Sequence, residues 1–176
     1  MSIKSAKWTV RPGVWHSRGT EEVLKIITTT PVFHHLIATA KVSTAMIVVD
    51  DLGVPTFARV VVETDSLIGM TAKLSERIRS QSILDCAKYP QILFESDSFQ
   101  PLVEGFRVSG TLQIKGRRIK KDLWVKKLTW SGVEALAIKG HLDLAASEIG
   151  VGLIKRRCLA NTLRVEFATT LEFQAD

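Results

Sequence analysis

A chain of 176 residues, 45% hydrophobic and 24% charged, is long enough to bury a sizeable core and lacks the composition of a disordered or fibrous protein. Its formal net charge of +6 leaves phosphate-bearing partners open, while no apolar run approaches the ~18 residues that a membrane-spanning helix needs. No repeat, linker or low-complexity tract divides the chain, so residues 1–176 read as one domain. Met1 to Trp8 carries lysines without a following apolar segment, which predicts no secretory signal and a cytoplasmic location. In that setting Cys86 and Cys158 are expected as free thiols, and two cysteines without paired spacing are no zinc signature.

In chain order, Trp8-Thr9-Val10 predicts a first strand and Pro12-Gly13 a turn. A second strand covers Glu22 to Thr28. Pro31 argues against a central strand over Thr30 to Leu36, which reads as a loop or one helical turn. Lys41 to Asp50 alternates weakly and ends in the turn composition Asp50-Asp51-Leu52-Gly53. Phe57 to Thr64 sets Val60 and Val62 against Arg59 and Glu63. The period then changes. Leu74 and Ile78 lie four apart, Ile83 or Leu84 continues the stripe imperfectly, and charges fill the gaps, so a helix is expected over about 71–86 with a break near Ser80. Pro90 returns the chain to extended structure. Ile92, Phe94 and Ser96 alternate with Leu93, Glu95 and Asp97. Phe106, Val108, Leu112 and Ile114 share one face against Arg107, Ser109, Thr111, Gln113 and Lys115. A hairpin around Gly116 leads into Arg118 to Trp130, and strands follow over Glu134 to Ala145 and Asn161 to Phe173. This clean alternation predicts an all-β protein of antiparallel sheet, a sandwich or barrel, with one face buried.

Several local motifs coincide with this frame. Ser66-Leu67 follows a strand. Ile78-Arg79-Ser80 stands for a Leu-Arg-Ser step, and Leu84 to Tyr89-Pro90, with Phe94 and Ser96, fits Leu-x-x-x-x-Tyr-Pro and Phe-x-Ser. Gly110, Leu112, Ile114 and Gly116 form Gly-x-Leu-x-Ile-x-Gly, and Glu148-Ile149-Gly150-Val151 approximates Asp-Phe-Gly-Ile. Taken in order, from Trp8 to Phe173, the chain resembles the YceI-like proteins, a lipocalin-type family associated with polyisoprenoid binding. The resemblance implies an eight-stranded antiparallel lipocalin-like barrel, a long apolar tunnel, a short covering helix near residues 71–86, and a homodimer. The chain departs from the pattern at Leu74-Ser75 and Arg77, where the family carries Arg-Asp and then His, and at Ile83, where an aromatic is common. The polar rim of a ligand site is therefore expected to differ.

A barrel of about eight strands is either filled by its own side chains or holds one small ligand. The inward set inferred from the alternation is Val60, Val62, Phe94, Phe106, Val108, Leu112, Ile114, Leu123, Val125, Leu136, Ile138, Leu142, Val165 and Phe167. None is charged. A sugar or base in such a lumen would strand polar groups at ~1–3 kcal/mol each. A hydrocarbon gains ~0.8 kcal/mol per buried methylene, or roughly 3–4 kcal/mol per isoprene unit. Association costs ~4–15 kcal/mol in lost freedom, so several units are needed for useful affinity. The sequence therefore predicts a non-enzymatic carrier or store for a long isoprenoid lipid, a polyprenyl phosphate or isoprenoid quinone, with no cofactor. The opposing expectation is a lumen plugged by its own Phe and Leu. Arg77 and Arg79 on the helix are the headgroup candidates, with Lys115, Arg117 and Arg118 next, because guanidinium suits phosphate.

Basic residues cluster at Lys115 to Lys121, at Lys126-Lys127 and at Lys155-Arg156-Arg157. They raise a second reading, an adaptor that meets an anionic membrane or nucleic acid through the 115–121 hairpin; on the first reading no nucleic acid is expected and membrane contact is transient. A third reading is an enzyme with a polar site at the barrel mouth involving Arg77, His34 or Glu76. The chain lacks a Gly-x-Ser-x-Gly elbow, a His-Glu-x-x-His helix and a phosphate-cradling glycine loop. His34-His35 in a strand would point to opposite faces and so not share a metal, whereas a loop would permit it; ordinary histidines are the expectation.

Overall fold

The computed structural model describes residues 10–17, 23–29, 34–130, 134–150 and 162–175. Ten strand segments form one sheet: β1 (Gly13–Ser17), β2 (Val23–Thr29), β3 (His34–Val49), β4 (Pro55–Glu63), β5 (Ile68–Gly69), β6 (Gln91–Leu102), β7 (Gly105–Ile114), β8 (Arg117–Trp130), β9 (Ala135–Ala145) and β10 (Thr162–Gln174), with one helix, α1 (Ala72–Arg79). All pairings are antiparallel.

The sheet closes as a barrel of eight staves. β1 and β2 are two halves of one stave, since both pair with β10 on one side and β3 on the other. β5 likewise prolongs the β4 stave, pairing Ile68 and Gly69 with Thr39 and Ala38 of β3 after a 3-10 turn at Thr64–Ser66. The remaining staves follow sequence order, and β9 pairs with β10 over eleven residues to complete the circuit.

Closure requires bent strands, and register shifts mark the bends at Ile26/Ile27, Val42/Thr44, Val48/Val49 and Ser96/Ser98. Wherever a stave is interrupted an amide would lose its ladder partner, and serine hydroxyls fill these places. Ser96 Oγ accepts the Ala58 N–H at 2.8 Å beside the β6 shift. Ser17 Oγ accepts from Ala45 N at 3.1 Å where β1 ends. Ser66 Oγ accepts from Lys41 N at 3.0 Å and donates to Glu63 O at 2.7 Å where β4 gives way to the 3-10 turn. Ser66 and Ser96 of the sequence motifs thus act as backbone repair. Gly116 has a comparable reason: it lies at φ 71°, and a Cβ there would come within 2.8 Å of the Tyr89 ring.

The structure corrects the sequence reading at His34 to Leu36 and beyond residue 80 of the expected helix, and bears out the break near Ser80. His34, His35 and Leu36 belong to β3 rather than to a loop. The first described strand begins at Gly13, with Val10 ahead of it; Trp8 and Thr9 lie outside the described residues. The helix is eight residues long and stops at Arg79, because Ser80 turns extended (φ −65°, ψ 160°) and its hydroxyl donates to Arg77 O at 2.6 Å. Residues 81–84 and 86–88 are turns. Cys158 and the basic run Lys155 to Arg157 lie outside the described residues.

The segment between β4 and β6 crosses one end of the barrel. At that end lie α1, the β7–β8 turn at Lys115-Gly116 and residues 146–150 after β9. The other end holds Val10, the β3–β4 turn at 50–54, the β6–β7 turn at 103–104 and the end of β10. Asp50 Oδ1 ties that β3–β4 turn by accepting from Leu52 N and Val54 N, each at 2.9 Å.

Candidate functional site

The barrel interior contains a cavity of about 420 Å³, within the ~300–1,000 Å³ range of small-molecule sites. Its described wall carries no charged side chain; Thr28 and Thr169 are its two hydroxyl-bearing members. The structure places all fourteen residues of the inferred inward set on this wall. Val62, Phe94, Phe106, Val108, Leu112, Ile114, Leu136, Ile138 and Leu142 are buried there, and Val60, Leu123, Val125, Val165 and Phe167 are half-buried. The cavity runs from Ile78 and Leu84 at the helix end to Trp15 and Val49 at the other. Along β3, Ala38 to Val49 spans eleven steps of ~3.4 Å tilted ~40° from the axis, a depth of roughly 28 Å.

An open interior in a barrel of eight staves has an identifiable cause. Phe94 and Phe167 are large enough to plug it, yet each lies over a glycine. A Cβ on Gly110 would sit 2.6 Å from Phe94 Cζ, and one on Gly140 would sit 2.5 Å from Phe167 Cζ. The missing side chains let both rings approach the wall. The β3 wall, two staves from either ring, is built of small residues, with Ala38, Ala40 and Ala45 all buried. Sequence inspection missed these alanines because the shift at Val42/Thr44 exchanges the inward positions, from Ala38, Ala40 and Val42 to Ala45, Ile47 and Val49.

The floor was also missed. Trp15 is fully buried, its Nε1 donates to Arg11 O at 3.0 Å, and its ring meets Phe173 edge-on at 5.4 Å between centroids. The Arg11 guanidinium lies 3.8 Å over the other aromatic of this stack, Phe173. Leu171 and Val49 complete the seal. A single Trp on a short strand gives no periodic signal from which this role could be read.

The roof is α1 and its flanks. Leu74 and Ile78 face the cavity, one turn apart, and Leu67, Ile83, Leu84 and Ile149 extend the apolar ceiling. Thr71 caps the helix, its Oγ1 accepting from Leu74 N at 3.2 Å. Ser75 Oγ accepts from Gly69 N at 2.9 Å and fastens the helix to β5. At the other end Arg79 donates from Nε and Nη2 to Leu67 O at 3.1 and 2.7 Å, and from Nη2 to Asp65 O at 2.8 Å. Arg79 is therefore engaged as a strap on the roof. At 100° per residue, Arg77 lies 60° from Leu74 on the helical wheel, at the flank of the ceiling, and is exposed.

The basic hairpin is partly neutralised. Lys120 Nζ lies 2.7 Å from Asp97 Oδ2 and 2.9 Å from Thr111 Oγ1, and Lys121 Nζ lies 2.5 Å from Glu148 Oε2. Burial works to raise the Glu148 pKa, but the hydrogen bonds from Lys121 and Ala145 N outweigh it and hold the carboxyl below its ordinary range. Arg164 grips Asp143 through two hydrogen bonds of 2.8 and 3.0 Å, and this contact lowers the Asp143 pKa. Lys115, Arg117 and Arg118 surround the turn itself, and Arg117 Nη1 reaches Glu148 O at 3.5 Å. His34, Glu76 and Arg77 are all on the exposed surface. Among the described residues no group of three His, Cys, Asp or Glu side chains is placed to hold a metal ion, and no helix is long and apolar enough to cross a membrane.

A closed antiparallel barrel with an uncharged bore, an aromatic floor and a helical roof defines the class: a lipocalin-like β-barrel. The YceI-like domain model matches residues 16–173, and the chain belongs to that family. BcnA of Burkholderia cenocepacia superposes with a TM-score of 0.72 at 18% identity, covering 85% of this chain and 96% of that one. A polyisoprenoid-binding domain from Saccharophagus degradans gives 0.64 at 16% identity over 91% and 98% of the two chains. The Campylobacter jejuni YceI protein gives 0.60 at 14% identity over 74% and 81%. At these identities the likeness to solved structures speaks for the fold. No curated protein matches the sequence.

Proposed function

We propose that the protein binds and carries a long-chain isoprenoid lipid, a polyprenyl phosphate or isoprenoid quinone, without catalysing a reaction on it. The observation that carries this reading is the cavity wall: a lumen of about 420 Å³ lined by apolar side chains, with the buried Trp15 at one end. Polar guests are disfavoured because each unpaired polar group buried there costs ~1–3 kcal/mol. A long apolar tail gains ~0.8 kcal/mol per methylene and meets no such penalty. The relative from Saccharophagus degradans, a polyisoprenoid-binding domain, supports the choice of isoprenoid among apolar lipids. A headgroup would emerge at the helix end beside Arg77, whose position at the flank of the ceiling suits it to meet phosphate.

The test is organic extraction of purified protein followed by mass spectrometry, together with uptake of added polyprenol. A prenyl species in the extract, or saturable uptake, is expected. Extracts free of prenyl lipid from several hosts, with no uptake, would overturn the reading. Leu112→Glu places a carboxylate on the buried wall and is expected to abolish uptake. Undiminished binding by a folded Leu112→Glu variant would put the guest somewhere else.

A further inference from the structure

We infer that the helix end of the barrel docks onto an anionic lipid bilayer, with Ile68 and Met70 entering the acyl region and the basic rim contacting headgroups. The inference assigns a partner surface to the bore, and rests on the lipid-carrying reading for its purpose, though docking is measured without any guest. Its first support is the exposure of β5. Backbone alternation buries Leu67 and Gly69 and turns Ile68 and Met70 outward, where they are 56% and 61% exposed. Leu36 on the paired strand β3 adds a third exposed apolar side chain. Apolar side chains of this size on a barrel rim are free to leave water for lipid without disturbing the core.

The second support is the separation of charge along the barrel axis. The helix end carries Lys73, Arg77, Lys88, Lys115, Arg117 and Arg118, against the acids Asp65, Glu76, Asp85 and Glu148, the last of which is paired with Lys121. The floor end also exposes apolar residues, Leu52 and Val103, but sets them among Asp50, Asp51 and Glu104, with Lys126 paired to Glu104 and Arg11 over Phe173 as the cations on that side. An anionic surface attracts the first end more strongly than the second, so charge selects between two faces that are both partly apolar.

The third support is continuity with the roof. Met70 is followed at once by Thr71, the cap of α1, and Met70 N donates to Ile37 O at 3.0 Å. The residues that would enter lipid are thus joined directly to the helix that covers the bore. A bilayer gripping Ile68 and Met70 holds the roof at the membrane surface, where an apolar guest passes between bilayer and bore without crossing water.

The experiment is cosedimentation of the full chain with vesicles of equimolar phosphatidylglycerol and phosphatidylcholine, compared with pure phosphatidylcholine. Binding to the anionic vesicles alone is expected, falling as salt rises. Arg117→Ala with Arg118→Ala is expected to weaken it roughly twenty-five-fold, at about fivefold for each cation near the surface. Ile68→Ser with Met70→Ser is expected to weaken it further, while Leu52→Ser with Val103→Ser at the floor end leaves it unchanged. All these side chains are on the surface, and unaltered thermal unfolding of each variant confirms that the fold is intact. Equal binding to neutral vesicles, no binding to either, or loss through the floor-end pair alone would overturn the inference. So would displacement of the protein from vesicles by RNA, which would assign the basic rim to nucleic acid. Prenol uptake from detergent solution, measured in parallel, separates the two claims: uptake without docking removes the bilayer partner only, and docking without uptake removes the guest only.

Discussion

Trp15 decides where the bore ends. Its burial, its hydrogen bond to Arg11 O and its edge contact with Phe173 make a rigid stop rather than a flexible plug. Truncating a buried aromatic removes its burial energy and leaves a cavity, a loss of ~3–5 kcal/mol in stability. In Trp15→Ala the space created is continuous with the bore, so a guest can occupy it. The variant is expected to unfold at lower denaturant by that amount and to shift its preference toward longer prenols. Chemical denaturation checks the first effect and competition between prenols of two lengths the second. An unchanged length preference would mean that the tail does not reach the floor. Residues of this kind were invisible to sequence patterning. Trp15 sits alone on a five-residue strand, and the β3 alanines that widen the lumen change face at Val42/Thr44.

At the scale of elements, α1 is a roof fastened at both ends. Ser75 ties its start to Gly69, and Arg79 ties its end to Leu67 and Asp65. The helix is eight residues long, too short to be stable alone, so these ties and the contact of Leu74 and Ile78 with the cavity hold it in place. Removing the strap with Arg79→Ala is expected to raise the rate of guest release about tenfold while costing about 1 kcal/mol of stability. Stopped-flow release of a neutral prenol and of a prenyl phosphate checks this. Equal acceleration of both identifies Arg79 as a fastener, whereas an effect confined to the phosphate would make it a headgroup contact.

The strands were legible because their inward and outward faces alternate with few exceptions from Ile92 to Ile114 and from Ala135 to Leu144, and every inferred inward residue reaches the cavity wall. The helix was legible from Leu74 and Ile78 and its end from the break near Ser80, but the turns beyond it were not. Ile83 and Leu84 do reach the ceiling, yet from turns that mimic the helical spacing. The strand at His34 to Leu36 was hidden by Pro31 upstream, since proline marks where a strand is disfavoured without saying where the next one starts.

The whole molecule has two unlike ends. One carries the acidic turn residues Asp50 and Asp51 and the buried Trp15; the other is more basic, partly apolar and roofed by a short fastened helix. Between them the wall carries no charged group among the described residues. A guest enclosed by this shape gains affinity with each buried methylene until the bore is full, and nothing thereafter, because further carbons would remain in water. A saturable titration of the protein with a series of prenols of increasing length measures this directly. The account predicts that affinity rises at least tenfold per added isoprene unit and then levels off once the tail fills the roughly 28 Å depth. Affinity independent of length, or no saturable binding at any length, would contradict it.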